Sequence, residues 1–242
     1  LVQDRLGLPV TTGALDFNLG CSGFIYGLTL AQGLLRTGTA SRVLLIMSET
    51  YTRHIHPLDK STRTIFGDAA AATLLEKDDL ERLGSFVLGT DGSGAQNLIV
   101  PGGGMAHPRS PETGEEKIDD GGNPRSMDNL YMNGPEIFSF TLRTVPEMVR
   151  QTLVKNNLTK DDIHLYVLHQ ANRFILENLR DRLDVPEERF FIDVEDTGNT
   201  VSASIPIALR KALNKGLIKD GSNVLVAGFG VGYSWGATVI RF

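Results

Sequence analysis

The sequence predicts an α/β fold, a layered α/β/α/β/α sandwich of two pseudo-equivalent halves, and three observations lead there. Short apolar runs alternate with longer stretches of helical period along the 242 residues. One order of elements, strand, glycine-containing turn, helix, strand, strand, occurs twice. It runs through "ALDFNLGCSGFIYGLTLAQGLL", "SRVLLIMSE" and "FGDAAAATLLEK", and again through "FIDVEDTGNTVSASIPIALRKAL", "SNVLVAGFG" and "YSWGATVIRF". Finally, no charged residue occurs from Ser22 to Leu35 or from Thr200 to Leu209. A helix that is apolar all round is buried, so each of these two is expected between sheets and not on one.

The elements follow in order. "LVQDRLGLPV" reads as the last turns of a helix ended by Gly7 and Pro9, without an initiating methionine, so the N-terminal half is expected to be incomplete. A strand is predicted over Ala14–Leu19, a helix over Ser22–Arg36 stopped by Gly38, and strands over Arg42–Glu49 and Ala69–Glu76. Strand-like runs follow near Ser85–Thr90 and Asn97–Val100. Pro101–Asn129 is rich in Gly, Pro and charge and offers almost nothing to a core, so it reads as a surface excursion or mobile loop. A long helix spans Pro135 to about Asn156 with Pro146 as a kink point, and Thr159 with Asp162 marks a new start. The remaining elements are a strand in "HLYVLH", a helix over Ala171–Leu183, a strand in "RFFIDV", a helix with Pro206 in its first turn ending near Lys215, and two terminal strands. Three units result: 1–100 with the Cys21 turn, the insertion 101–129, and 130–242.

Composition narrows the function. With 24 Lys and Arg against 29 Asp and Glu, a formal charge of −5 and no basic tail, an unspecific grip on nucleic acid is not expected. No segment approaches the ~20 apolar residues of a membrane span. One cysteine makes no internal disulfide, and no charged leader precedes an apolar stretch, which together favour a cytoplasmic setting.

That cysteine, Cys21, has two readings, inert core or nucleophile. Its place at a strand-to-helix turn favours the second, because free amides and the helix dipole stabilise a thiolate, and Gly20 and Gly23 leave room for a carbonyl. "VLHQAN" places His169 at the C-terminal end of a buried strand, where α/β sheets gather their ligand and catalytic groups. Asn199 in "DTGNTVSAS" reads locally as a turn residue or cap, but the repeat sets its turn opposite that of Cys21. Glycines 228, 230 and 232 lack the G-x-G-x-x-G spacing and precede a strand; they let backbone amides approach a substrate oxygen. His54 and His56 have no third ligand at a metal-binding spacing, and the pairs Asp119/Asp120 and Asp161/Asp162 read as solvated or capping carboxylates.

Cys21 in "NLGCSGF", His169 in "LHQANRF" and Asn199 in "GNTVSASIP" together resemble the β-ketoacyl-acyl carrier protein synthase III family of the thiolase-like superfamily. "IFGDAAAA", "LYMNGPEIF" and the ending "GFGVGYSWGATVIRF" are similar to that family's signatures, and the likeness runs from Gly13 to Phe242. The resemblance implies a thiolase-like five-layer sandwich, with a five-stranded sheet in each half of the family pattern but the first strands of the N-terminal half lacking here, and a homodimer. It implies a ping-pong acyltransferase: Cys21 takes an acyl group from acyl-CoA, and His169 and Asn199 stabilise the enolate of malonyl-acyl carrier protein as carbon dioxide leaves. The product is a 3-oxoacyl thioester, made without metal or redox cofactor. By position, the amides of Cys21 and Val231 hold the oxyanion, Lys60, Gly134 and Asn172 line the coenzyme A tunnel, and Phe66 and Phe138 line the acyl pocket. Lys60 stands where the family often has arginine, and Val231 where many members have a third glycine. Arg173 and Arg180, two turns apart on the helix beside His169, are candidates for carrier docking; a solvated face interrupted by Glu177 is the alternative.

The order Cys, His, Asn also fits a papain-like cysteine hydrolase, whose Cys-to-His spacing of ~130–150 residues is matched here. Against it, the C-G-[SA]-C-[WY] context is absent and Asn199 precedes a buried helix. A thiolase needs a second cysteine, and a non-catalytic subunit of the same fold has no need of all three residues.

Overall fold

The computed structural model describes residues 1–242. A single turn, α1 (Val2–Arg5), ends at Gly7, whose φ of 64° suits glycine. Residues 13–19 form no strand, which corrects the expectation for Ala14–Leu19. A strand exists only where a neighbour takes up its N–H and C=O groups, and no other strand pairs with this segment. Helix α2 (Gly23–Arg36) begins after Ser22 and buries Phe24, Ile25, Leu28 and Ala31. Strands β1 (Arg42–Glu49) and β2 (Ala69–Glu76) pair antiparallel from Arg42↔Glu76 to Glu49↔Ala69. Short strands β3 (Val87–Thr90), β4 (Leu98–Ile99), β5 (Lys117–Ile118), β6 (Pro124–Arg125) and β7 (Tyr131–Met132) lead to α3 (Gly134–Lys155). Then come β8 (Leu165–Leu168), α4 (Arg173–Leu183), α5 (Ser204–Asn214), β9 (Asn223–Gly230) and β10 (Ser234–Arg241).

The larger sheet has the order β3-β10-β9-β8, with β8 and β9 parallel. All four residues of β8 are buried, as a parallel strand covered on both faces requires. The strand expected in "RFFIDV" shrinks to one bridge, Tyr166↔Phe190. Beyond it the side chain of Gln170 replaces the neighbouring strand: its Nε2 donates to the Phe191 carbonyl and its Oε1 accepts the N–H of Asp193. The strands therefore form one four-stranded sheet and three two-stranded ones, fewer strands in either half than the five of the family pattern.

Alternation along β9 divides the core. Val224 and Val226 pack with Phe24, Leu28, Ile205 and Ala208, so α2 and α5 lie between the β1–β2 pair and the larger sheet. Leu225, Ala227 and Phe229 face the other way, onto Val145 and Met148 of α3 and Leu176 and Leu179 of α4. Each such fully buried side chain contributes about 1.5–3 kcal/mol by leaving water. Four layers result, in the order β, α, β, α. The outer face of the β1–β2 pair exposes Leu44, Ile46 and Leu74.

Two further expectations change. Thr159 and Asp162 do form a capping box, but around one 3-10 turn and not an α-helix. The stretch 101–129 is not a structureless excursion: β5 and β6 make a hairpin, Thr113 and Asn123 are buried, and Arg125 pairs with the fully buried Asp59 at 2.6 Å. Its cohesion comes from polar contacts, which a search for apolar residues does not register. Asp119, expected as a solvated or capping carboxylate, does cap its turn by accepting the N–H groups of Gly121 and Asn123, and it also lies 3.0 Å from Arg125.

Candidate active site

Cys21 sits in the turn before α2 and is 3% exposed. The backbone of β9 presses against it, since a Cβ built on Gly228 would stand 2.7 Å from the Cys21 carbonyl oxygen. Glycine at 228 and 230 thus serves the approach of the cysteine turn itself, closer than the substrate contact expected of these residues. Burial pushes the Cys21 thiol up to about 12, against the pull of the Val231 amide and of its own, while the Glu49 carboxylate adds to the rise. The amides at the helix start do favour the thiolate, as expected, but removal from water outweighs them, so the resting thiol keeps its proton at neutral pH.

His169 follows β8, with its N–H bonded to the Ala227 carbonyl at 2.8 Å and its ring edge-on to Phe229. It is 1% exposed, and burial holds its imidazole down to about 3, so it is neutral. Its Nδ1 lies 2.7 Å from the hydroxyl of Ser204, which also reaches the Val201 carbonyl at 2.9 Å and accepts the N–H of Gln170 at 3.3 Å. One hydroxyl proton faces two acceptors. Given to Nδ1, it leaves Nε2 as a donor; given to Val201, it leaves Nε2 as a base.

Asn199 is fixed by its own turn. Its Oδ1 accepts the N–H of Val201 at 2.9 Å, which leaves the Nδ2 hydrogens free for another acceptor. Val201 holds φ at 53°, an outlying conformation for a β-branched residue, so the backbone bears strain where it orients both polar groups. The strip Ile65–Gly67 clasps Asn199 through Asn199 N–H to Ile65 O at 2.8 Å and Gly67 N–H to Asn199 O at 3.0 Å. The Ser202 hydroxyl bonds the Glu49 carboxylate and ties the same turn to β1.

Cys21, His169 and Asn199 line one cavity of about 460 Å³. Gly134, Asn172, Phe66, Phe138 and Gly230 line it as well, so eight of the residues singled out in the sequence meet here. Asn172 also caps α4, its Oδ1 accepting the N–H of Ile175 at 2.8 Å. Phe174 stacks on Phe138 at 5.2 Å and is 64% exposed, which places this pair at the rim. Val231 lies beside the cysteine turn: a Cβ on Gly20 would meet its Cγ1 at 2.5 Å, and its amide draws the thiol pKa down against the effect of burial.

Other candidates lie outside the cavity. Lys60 is exposed, with its N–H on the Asn123 side chain at 3.0 Å. Arg173 pairs with Glu177 and Glu195, and Arg180 with Asp181 and Glu187. The two arginines share a groove with Glu177, Glu187 and Glu188, so the face is mixed in charge and not a basic patch. His56 accepts the Leu58 N–H on Nδ1 and donates from Nε2 to the Glu116 carboxylate at 3.1 Å, and no group of His, Cys, Asp or Glu is placed to hold a metal. Ser204, Val201 and Ile65 carried no signal of their own; spacing from Asn199 within "GNTVSAS" was the only hint for the first two.

A cysteine thiol, an imidazole, a primary amide and two free backbone amides around an apolar chamber suit acyl transfer through a thioester. Comparison with known proteins agrees. Residues 153–242 match the family described as 3-oxoacyl-[acyl-carrier-protein (ACP)] synthase III C terminal, and residues 15–92 that described as 3-oxoacyl-[acyl-carrier-protein (ACP)] synthase III. The chain is 37% identical over 245 residues to a β-ketoacyl-[acyl-carrier-protein] synthase III of Koribacter versatilis, covering 100% of this chain and 71% of that one. It superposes with a TM-score of 0.97 and 47% identity on a crystal structure of a 3-oxoacyl-(acyl-carrier-protein) synthase III, covering 100% of this chain and 72% of that one. A priming β-ketosynthase from the R1128 polyketide biosynthetic pathway gives a TM-score of 0.84 and 32% identity, covering 99% and 68%. No helix is long and apolar enough to cross a membrane. A cysteine hydrolase is not favoured by any of these likenesses, and the chain belongs to the β-ketoacyl-acyl carrier protein synthase III family of condensing acyltransferases.

Proposed function

We propose that the protein joins an acyl-CoA primer to malonyl-acyl carrier protein by decarboxylative Claisen condensation. The observation that carries this reading is the convergence of Cys21, His169 and Asn199 on one apolar cavity. In the first stage the Cys21 sulfur attacks the acyl carbonyl, and the amides of Cys21 and Val231 hold the oxyanion. The thiol proton leaves with the departing coenzyme A, and the neutral His169 imidazole is the base on the cavity wall that can carry it. In the second stage the bond from the malonyl α-carbon to its carboxylate breaks and releases carbon dioxide. The electron pair becomes an enolate whose oxygen takes hydrogen bonds from Asn199 Nδ2 and His169 Nε2. The α-carbon then attacks the acyl-cysteine, a carbon–carbon bond forms, and the Cys21 sulfur leaves and regains a proton. No step changes an oxidation state in a way that calls for a metal or redox cofactor, and coenzyme A enters only as the substrate thioester.

Gly134 and Asn172 border the path of the pantetheine arm, with Lys60 outside the mouth, and Phe66 and Phe138 bound the acyl group. Arg173 and Arg180 are kept as carrier-docking residues, with the neighbouring glutamates limiting their pull. The finer fold belongs with this reading: a five-layer thiolase-like sandwich whose remaining layer covers Leu44, Ile46 and Leu74, units 1–100, 101–129 and 130–242, and a homodimer. The homodimer is checked by sedimentation. A cytoplasmic setting keeps the one thiol reduced. Intact mass after incubation with acyl-CoA thioesters, together with labelled carbon dioxide release from malonyl thioester, tests the proposal. One acyl increment on Cys21 and release of label are expected; peptide hydrolysis with neither would overturn it.

A further inference from the structure

We infer that Arg125, in the insertion hairpin, is a positioning residue for Asn199 that acts through Asp59; this rests on the proposed role of Asn199 in decarboxylation. Asp59 is wholly shielded from solvent, and the Arg125 guanidinium reaches it through Nε at 2.6 Å and a second nitrogen at 3.3 Å. The same carboxylate accepts the N–H and hydroxyl of Ser61 at 2.9 and 2.7 Å, and those of Thr62 at 3.3 and 2.8 Å. The turn from 59 to 62 is thus wound around one buried charge whose counter-ion comes from the insertion.

From that turn the connection to the site is unbroken. The Thr62 carbonyl accepts the N–H of Ile65 at 3.1 Å and of Phe66 at 3.4 Å. Ile65 and Gly67 then hold Asn199 through the two backbone bonds described above, and Phe66 is part of the cavity wall. Little slack exists between these strips, since a Cβ on Gly198 would stand 2.6 Å from the Ile65 carbonyl oxygen. The hairpin adds a second tie, the Asn123 side chain on the Lys60 N–H. Without the guanidinium, Asp59 is a buried charge lacking its partner, which must draw in water or a proton, and the turn it organises rearranges. The displacement arrives at Asn199, whose amide must meet the enolate oxygen, and leaves the Cys21 turn, held by β9, in place.

The test uses the whole chain as Arg125→Met and Arg125→Lys, with Asn199→Ala as reference. Intact mass after exposure to acyl-CoA counts the molecules that acylate Cys21, and labelled carbon dioxide release is divided by that count. Arg125→Met is expected to lose about 10- to 100-fold in decarboxylation per acylatable site, as a misplaced catalytic group does, with acylation rate within threefold. Arg125→Lys, which keeps the charge but not the two-pronged contact, is expected to fall between and covers the case in which Arg125→Met does not fold. Equal loss of both half-reactions, or per-site decarboxylation within twofold of the parent in both variants, would overturn the inference. If Asn199→Ala keeps full decarboxylation, the reading of Asn199 itself fails and takes this one with it.

Discussion

A Cβ built on Gly230 would stand 2.8 Å from both Cβ and Sγ of Cys21, so β9 meets the nucleophile through bare backbone. Real Cβ atoms do not approach so closely, and neither partner is the loose end of a flexible chain. Gly230→Ala is expected to shift the sulfur and slow Cys21 acylation about 10²-fold, the scale of an ångström's misplacement. Gly33, exposed in α2 with nothing within 4 Å of its Cβ position, provides the contrast. Gly33→Ala is expected to raise stability by about 0.5–1 kcal/mol and leave acylation unchanged. Denaturant melts and acyl-enzyme mass read both, and unaltered acylation in Gly230→Ala would refute the contact.

With the Cys21 thiol pushed up to about 12 by burial, the reactive thiolate is scarce at neutral pH. Alkylation of Cys21 by iodoacetamide is expected to speed up about tenfold per pH unit from about 6 to 10, without levelling off. A plateau below about pH 8 would mean that the amides at the start of α2 outweigh burial after all.

His169 gives a different pH signature. Its folded pKa, about 3, lies below the ordinary value of 6.5, so only the unfolded chain takes up its proton on mild acidification. Stability from this group is therefore complete above about pH 6.5 and declines as the pH falls toward 3, by up to tenfold in the unfolding constant per unit. Asp59 adds a loss further into acid. Burial alone would raise its carboxyl, but Arg125, Ser61 and Thr62 outweigh that and hold it below the usual range. Urea melts from pH 4 to 7 are expected to slope less in His169→Ala than in the parent. Carbon dioxide release by the parent is expected to stay flat between about pH 5 and 8, and a break near 6.5 would show that the imidazole titrates in place.

These outcomes bear on what could be read from residues alone. β1 and β2 appeared where expected, residue for residue, because composition and turn residues bound them on both sides. The buried helices were legible from a missing feature, charge, which needs no knowledge of partners. Ala14–Leu19 and "RFFIDV" had strand composition, but pairing decides strands; one found no neighbour and the other found the Gln170 side chain. Cys21, His169 and Asn199, which the fold brings to one cavity, were singled out by chemistry and order. Ser204 was not, because a serine becomes a partner of His169 only when β8 and the start of α5 are brought together. Arg125 was missed for the same reason: its carboxylate lies across the fold, in a stretch that looked coreless.

The last prediction separates the two stages of the reaction. Asn199 Oδ1 is committed to the Val201 N–H, so what the residue can offer an enolate is its Nδ2 hydrogens. Asn199→Asp keeps the size and the accepting oxygen, and so the strained turn, but replaces the donor with an oxygen that repels the enolate. Carbon dioxide release from malonyl thioester is expected to fall at least as far as the ~10²–10³ seen when one oxyanion donor is removed. Acylation of Cys21 uses the amides of Cys21 and Val231 and is expected to persist. Cys21→Ala should invert the pattern, with no acyl increment but continued release of carbon dioxide, because the enolate is stabilised elsewhere. His169→Ala should resemble Asn199→Asp, with some loss of acylation if the imidazole carries the thiol proton. Labelled carbon dioxide against acyl-enzyme mass distinguishes the variants. If His169→Ala abolished acylation and left decarboxylation whole, the imidazole would serve only as a base for Cys21, as in a cysteine hydrolase, and the enolate role given to it would have to be withdrawn.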